Sequence, residues 1–398
     1  MDFETKQMQK KATWKGVFIG GGIMLGVGII VTSLVAIFFL AYIGRYYSQN
    51  KMTVKVNQLI NQVKEMYLYE VDEEAMENAI YDAIFDSLGD PYAGYYTKEE
   101  FEELMQDSEG TYCGIGVAVQ AEPDTGYLRV IEAYEGAPAA NAGIESGDLI
   151  IAVDGEDIYG VDVDLVTSRI RGEEGTEVKI TYMSGDMKIT CTVTRRLVTI
   201  KTVAYEMLES NVGYIQISQF DVATVAQVND AINDLNSQGM TSLIVDVRDN
   251  PGGRLDAVVN IVDFFVEKGD LIVYTQDKNG NRTDYKGKTD YALAVPCVVL
   301  VNGNSASASE VFAGAMQDYE IAHIMGTQSF GKGIVQSIIP LTDGTAFKIT
   351  VEDYYTPYGN NIHGIGITPD TIVEFDTDAY LNEERDTQLE AAIDYLTK

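Results

Sequence analysis

Histidine is almost missing from this chain: His323 and His363 are the only two in 398 residues. That excludes three-histidine metal sites and HExxH helices. A Ser–His–Asp triad would have to recruit one of these two, and neither stands near a G-x-S-x-G elbow. Basic residues are also scarce, 28 Lys and Arg against 61 Asp and Glu, for a net charge of −33. Such a chain repels phosphate backbones, so nucleic acid is excluded as a partner. The acidity reads instead as solubility in a salty, extracytoplasmic setting. Cysteine is sparse and odd in number. Cys113, Cys191 and Cys297 form no CxxC pair, which argues against a disulfide framework or a zinc site and predicts three buried small hydrophobes. Hydrophobic residues make up 46% and charged residues 22%, so the bulk is globular, with room for two or three domains.

What the chain does have is one long uncharged run. No charged residue occurs from Gly16 to Gly44, and Val17–Ile43 is almost wholly apolar. A bilayer core takes roughly 20 helical residues, so this run can span with tilt. It outlasts the apolar region of a cleaved signal peptide and no A-x-A site follows, which predicts an uncleaved signal-anchor. Lys6, Lys10, Lys11 and Lys15 precede it; Arg45, Lys51 and Lys55 follow. That balance predicts a cytoplasmic tail over 1–15, a single transmembrane pass over 16–44 in a bacterial-type cell membrane, and the remainder extracytoplasmic. Trp14, the only tryptophan, falls where an interfacial anchor would.

Beyond the run the texture changes twice. Val56, Leu59, Ile60, Val63 and Met66 recur at helical spacing, a second helical pattern covers Glu73–Leu88, and a third covers about Lys98–Gln106. These make 45–106 a helical segment. From 107 to 197 short Val, Ile, Tyr and Thr runs divided by Gly, Asp and Pro turns predict a β-domain. From 198 to 398 strand-like runs (Gly213–Ser218, Leu243–Val247, Ala294–Asn302) alternate with helical ones (Val222–Gln238, Leu255–Glu267, Glu310–Asp318). Alternation of that kind predicts an α/β layer with partly parallel strands, so the whole chain reads as multidomain, α+β and α/β.

Three stretches carry candidate chemistry. The strand ending Val299-Leu300-Val301-Asn302 runs into Gly303-Asn304-Ser305-Ala306-Ser307-Ala308-Ser309-Glu310 and then a helix. A hydroxyl at a strand-to-helix turn faces a cleft where free helix N–H groups favour an anion, although Ser followed by Glu is also ordinary capping chemistry. Ser329-Phe330-Gly331-Lys332-Gly333-Ile334-Val335-Gln336 sets one lysine among glycines and apolar residues. Lysine serves as a base near neutral pH only where desolvation lowers its pKa from about 10.4, and such a setting can do that. Finally, Asp246-Val247-Arg248-Asp249-Asn250-Pro251-Gly252-Gly253 ends a buried strand in a turn whose backbone N–H groups can face an oxyanion.

In that order, "VDVRDNPGG", "SASASE" and "FGKGIVQ" closely resemble the C-terminal processing (tail-specific) peptidases. "SLGDPYAGYYTKEEF" (Ser87–Phe101), "GYIQISQF" (Gly213–Phe220) and "YYTPYGNNIHGIGITPD" (Tyr354–Asp370) extend the resemblance over nearly everything after the anchor. The resemblance implies a serine endopeptidase without metal or cofactor. Ser307 is its nucleophile, Lys332 its general base and Gln336 the residue that orients the lysine. Ala308 and one of Gly252 or Gly253 form the oxyanion hole, and Asp318 matches a position implicated in some members. The segment 107–197 resembles a PDZ domain. Gly114, Ile115, Gly116 and Val117 would hold a peptide's terminal carboxylate there, and Val117–Val119 would take the tail as an added strand. The implied partners are protein substrates with free C-termini and, through the helical segment at 53–105, a second copy of the chain. Two other classes stay open from sequence: a membrane-tethered PDZ receptor that does not cut, and a penicillin-recognising enzyme using Ser48-x-x-Lys51, which lacks its S-D-N and K-T-G partners.

Overall fold

The computed structural model describes residues 50–398, apart from 124 and 291, together with 37 and 38. The transmembrane pass expected over 16–44 therefore lies almost wholly outside the described residues. Among them, no helix is long and apolar enough to cross a membrane. Contacts divide the chain into a unit ending at Ile80 and a unit from Tyr81 to Lys398.

In the first unit, α1 (Lys51–Met66) has the expected apolar spacing, yet none of its residues is buried. Leu59, Val63 and Met66 all stand exposed. The next helix, α2 (Glu73–Asp86), carries Glu73 and Glu74 in its first turn, where the helix dipole favours negative charge.

The larger unit begins in the last turns of α2. The segment read as helical then contains a strand, β1 (Gly94–Tyr96), too short for any periodicity to betray it. Helix α3 (Lys98–Glu109) follows. A capping box between Thr97 and Glu100 starts it, and left-handed Gly110 (φ 71°) ends it.

The β-domain comes next: β2 (Thr111–Gly114), β3 (Val117–Ala121), β4 (Leu128–Ala133), the single turn α4 (Pro138–Asn141), β5 (Leu149–Val153), β6 (Glu156–Asp157), α5 (Val163–Ile170), β7 (Glu177–Ser184), β8 (Met187–Thr194) and β9 (Arg196–Thr199). Its sheet runs β3-β4-β5-β7-β8 with β6 on β5, while β2 and β9 form a separate ribbon. Ile115, Val130, Ile150, Val166 and Ile180 fill its core. Cys113 is buried, but Cys191, on a strand with one face to solvent, is only half-buried.

The remainder comprises β10 (Val203–Met207), β11 (Val212–Ile217), α6 (Val222–Ser237), β12 (Ser242–Asp246), α7 (Leu255–Val262), β13 (Leu271–Asp277), β14 (Arg282–Lys286), β15 (Cys297–Val301), α8 (Ala308–Asp318), β16 (Ala322–Gly326), β17 (Ile334–Pro340), β18 (Ala346–Tyr355), β19 (Thr371–Ile372), α9 (Thr377–Glu383) and α10 (Thr387–Thr397). Its main sheet has the order β10-β11-β12-β15-β16-β19 and is parallel except at β10. Side chains alternate between the two faces. Leu243, Val245, Val299 and Val301 pack with α6, α7 and α8; Ile244, Val298 and Leu300 pack with α10. Burial on both faces explains why β12 and β15 read as unbroken apolar runs. In a second sheet, β18 pairs with β13, β17 and β1, and β14 extends the sheet from β13.

One ionic joint fixes the end of β12. Asp246, fully buried, accepts from Arg248 Nη2 at 2.6 Å and from the Tyr214 hydroxyl at 2.8 Å. The same guanidinium reaches Asp386 Oδ2 at 2.7 Å and Gln388 Oε1 at 2.9 Å, tying α10 to the strand. Burial pushes the Asp386 carboxyl up, but Arg248 and the Leu389 and Gln388 N–H groups outweigh it, leaving the group below its ordinary value. Its contribution to stability is then present above the unfolded carboxylate pKa and lost as pH falls through the lower folded value. Arg248→Ala leaves Asp246 buried and short of its partner, so unfolding in urea should show a loss of about 3–5 kcal/mol. Less than 1 kcal/mol would show that the joint is dispensable.

Candidate active site

Two adjacent parallel strand ends build the site. β12 delivers the turn 247–254 and β15 the loop 302–307, both at carboxyl ends, where α/β sheets place their ligands. Buried Asn250 stitches the two together. Its amide donates to Ile217 O at 2.8 Å, and its Oδ1 accepts Gly252 N–H at 2.8 Å. Its carbonyl accepts Ala306 N–H at 3.0 Å and the Ser309 hydroxyl at 2.9 Å. Outside it, the Asn302 and Asn304 amides donate to Asp249 Oδ1 at 3.0 and 2.8 Å.

The three serines differ in what their hydroxyls do. Ser305, fully buried, donates to Val247 O at 2.7 Å and accepts Asn302 N–H at 2.9 Å. Ser309, also fully buried, is committed to Asn250. Ser307 alone reaches solvent. Its backbone, at φ 54° and ψ −111°, occupies a region that non-glycine residues rarely adopt and that stores strain at functional sites.

Beside it, the oxyanion candidates separate. Gly252 N–H is already given to Asn250, whereas Gly253 N–H and Ala308 N–H have no acceptor among the described residues. A Cβ at Gly252 would lie 2.6 Å from Ala306 O and 2.7 Å from Ser307 Cβ, so only glycine lets this turn lie against the serine. Of the two glycines left open by the sequence, Gly253 is the one with a free donor.

Glu310 joins serine to lysine. It is 1% exposed. Its Oε2 accepts Ser307 N–H at 2.9 Å and Lys332 N–H at 2.8 Å; its Oε1 accepts Gly331 N–H at 2.7 Å and the Ser329 hydroxyl at 2.6 Å. Tyr354 repeats the link on the carbonyl side, its hydroxyl lying 2.7 Å from Ser307 O and 2.5 Å from Lys332 O. Burial, reinforced by the Glu310 charge, raises that phenol well above its ordinary pKa, so it stays a donor. Sequence reading gave neither residue a role in the site: Ser-x-x-Glu looked like helix capping, and Tyr354 stood only as the first residue of a resembling stretch.

The Lys332 side chain is half-buried. Its Nζ sits 4.1 Å from the Tyr92 ring centroid and makes a long, 3.5 Å bond to Gln336 Oε1. Gln336 is itself held by Tyr92 O, 2.9 Å from its Nε2. No hydrogen bond joins Lys332 Nζ to Ser307 Oγ among the described residues. Burial pushes the amine below its ordinary pKa, the Lys348 ammonium pushes the same way, and the Asp90 carboxylate opposes them. Asp318 lies on different business, its carboxylate accepting Tyr358 N–H at 2.8 Å at the end of α8. Among the described residues no His, Cys, Asp and Glu cluster could hold a metal ion.

In the β-domain, Gly114 closes β2, Ile115 is buried, Gly116 takes φ 79° and Val117 opens β3. A Cβ on Gly116 would lie 2.3 Å from that of Ala137, which requires glycine at this bend. The outer edge of β3 pairs with no strand among the described residues.

Glu310→Gln exchanges an acceptor for an amide that faces two of the four donors. Urea unfolding should show a loss of about 2–5 kcal/mol, against about 1 kcal/mol for Tyr354→Phe. Equal losses would deny Glu310 its larger part.

Comparison with known proteins agrees with this architecture. Residues 211–373 match the model of peptidase family S41 and residues 129–182 that of a PDZ domain. The chain is 35% identical over 316 residues to the carboxyl-terminal-processing protease of Synechocystis sp., covering 77% of this chain and 74% of that one. It is 37% identical over 292 residues to the carboxy-terminal-processing protease of Bartonella bacilliformis, covering 72% and 67%. A solved S41 protease structure from Bacteroides fragilis, 18% identical, shares the fold with a TM-score of 0.53 over 79% of this chain and 90% of that one. The chain therefore belongs to the S41 peptidases, as a serine-type carboxyl-terminal-processing protease with a PDZ domain.

Proposed function

We propose that the chain cuts extracytoplasmic proteins through a Ser307–Lys332 dyad, after the PDZ domain has taken hold of a free C-terminus. The observation that carries the reading is the shared carboxylate. Ser307, the one solvent-reaching serine of its loop, and Lys332, whose amine is depressed by burial, are hydrogen-bonded through their backbones to the same Glu310. Neutral Lys332 leaves the Tyr92 face and takes the proton of Ser307 Oγ as that oxygen attacks the peptide carbonyl. Gln336 orients the amine, while Ala308 N–H and Gly253 N–H receive the oxyanion. The tetrahedral adduct collapses with cleavage of its C–N bond as the Lys332 ammonium gives its proton to the departing amine; water, deprotonated by the again neutral Lys332, then hydrolyses the acyl-enzyme and Ser307 recovers its proton. The open edge of β3 suits an extended tail, and Gly114–Val117 suit its carboxylate. The domain limits, 107–197 for the PDZ domain and 198–398 for the protease core, follow the same reading. Residues 16–44 anchor the chain in the cell membrane with 1–15 in the cytoplasm, and the exposed apolar stripe of α1 supports self-association through 53–105.

Ser307→Ala and Lys332→Ala should each abolish peptide cleavage; turnover near that of the parent in either would defeat the dyad. Because the base must be uncharged, kcat/KM should rise with pH through the depressed lysine pKa. Asp90 raises that pKa and Lys348 lowers it. Asp90→Asn should therefore move the rising limb to lower pH and Lys348→Gln to higher pH. Shifts of the same sign, or none, would assign the limb to another group.

A further inference from the structure

The stretch Ser87–Phe101 lies ahead of the PDZ domain in the chain, yet one of its residues stands at the lysine of the protease core. Tyr92, half-buried, turns its ring face to Lys332, whose Nζ lies 4.1 Å from the ring centroid. Its carbonyl accepts from Gln336 Nε2 at 2.9 Å, and Gln336 Oε1 is the other partner of Nζ, at 3.5 Å. A closed circuit keeps Tyr92 in place. Its N–H donates to Asp90 Oδ1 at 2.9 Å, and the Thr350 hydroxyl donates to Asp90 Oδ2 at 2.7 Å. Thr350 in turn stands opposite Gln336 in the β17–β18 pair, and two residues after Tyr92 the strand β1 pairs Gly94 with Lys348 of β18. The charges that act on the amine are those of Lys348, on β18, and Asp90, ahead of β1; Glu310 of α8 holds its backbone N–H.

We infer that Tyr92 is a positioning residue for the general base: its ring holds the Lys332 side chain while that is an ammonium and releases it toward Ser307 once the proton is lost. The inference rests on the reading of Lys332 as that base. An aromatic face attracts a cation through its quadrupole and does nothing comparable for a neutral amine. The ring therefore favours the charged form, in the same sense as Asp90 and against burial and Lys348. A charged lysine cannot take the serine's proton, so holding it off the serine in that state costs no turnover. Gln336 Oε1 can accept from the amine in either state, so guidance of the side chain outlasts its release from the ring. The ring face and the backbone carbonyl carry the role, and the phenolic oxygen has no part in it.

The test is the pH profile of kcat/KM on a fluorogenic peptide with an apolar, free C-terminus, for Tyr92→Leu and Tyr92→Phe in the full chain. Leucine keeps an apolar cover and the backbone carbonyl but removes the π face; phenylalanine keeps all three. The rising limb of Tyr92→Leu should move about 0.5–1 pH unit lower, while that of Tyr92→Phe stays with the parent. The position of the limb is the readout, so a general loss of activity does not imitate the effect. In a Ser307→Ala background the carbon-13 resonance of the Lys332 Cε, identified by its loss in Lys332→Arg, reads the same titration without turnover. It should show the same downward shift with leucine and none with phenylalanine. A resonance that titrates alike in parent and Tyr92→Leu would overturn the inference, as would phenylalanine shifting as far as leucine. Opposite movements of the limb in Asp90→Asn and Lys348→Gln would then still uphold Lys332 as the base. A resonance that shifts while the limb stays would remove Lys332 as the base, and the inference with it.

Discussion

A single buried carboxylate holds this site in register. Glu310 cannot be charged at 1% exposure without compensation, and compensation comes from four donors, three of them backbone N–H groups. Those donors belong to the serine turn and to the lysine loop, which lie far apart in sequence. Satisfying the charge therefore fixes where both backbones run. Tyr354 adds the matching constraint on their carbonyls, and its raised pKa keeps it protonated throughout the ordinary range. The strained backbone of Ser307 is affordable in this setting because its N–H and C=O are both pinned.

The backbone is pinned while the reacting side chains are not yet paired. Lys332 rests against Tyr92 and Gln336, and both contacts trace to the segment around β1, whose strand pairs with β18. The environment of the amine is thus assembled from the protease sheet and from a strand that lies ahead of the PDZ domain in the chain. Arg171, from within the PDZ domain, lies over the Tyr112 ring and pairs with Glu103 and Asp107 of α3, so that domain and the segment leading into it share side-chain contacts.

Much of this was legible in the sequence, for reasons that can be named. β12 and β15 are apolar on both faces, so their runs stood out, and the turns after them carried Gly252-Gly253 and Ser307 at recognisable spacing. Helices α6 and α8 start within two residues of expectation, α6 with one buried face and α8 buried all round as far as Met316. Strand β1 escaped because three residues carry no period, and it takes its structure from β18 alone. Helix α7 ends at Val262, earlier than Glu267, because Asp263 turns aside to accept Lys288 N–H at 2.6 Å. Glu310 looked like a cap since one of its four bonds is a cap; the other three come from 19–22 residues on and have no local signature. The choice between Gly252 and Gly253 turned on an Asn250 side chain whose direction no pattern encodes.

Native-state hydrogen exchange of the Ser307, Gly331 and Lys332 amides tests the shared carboxylate most directly. Because all three donate to Glu310, they should exchange slowly, with one common opening free energy near that of the amides in β12 and β15. Gly331 and Lys332 exchanging as an exposed loop does, while Ser307 stays protected, would contradict the account.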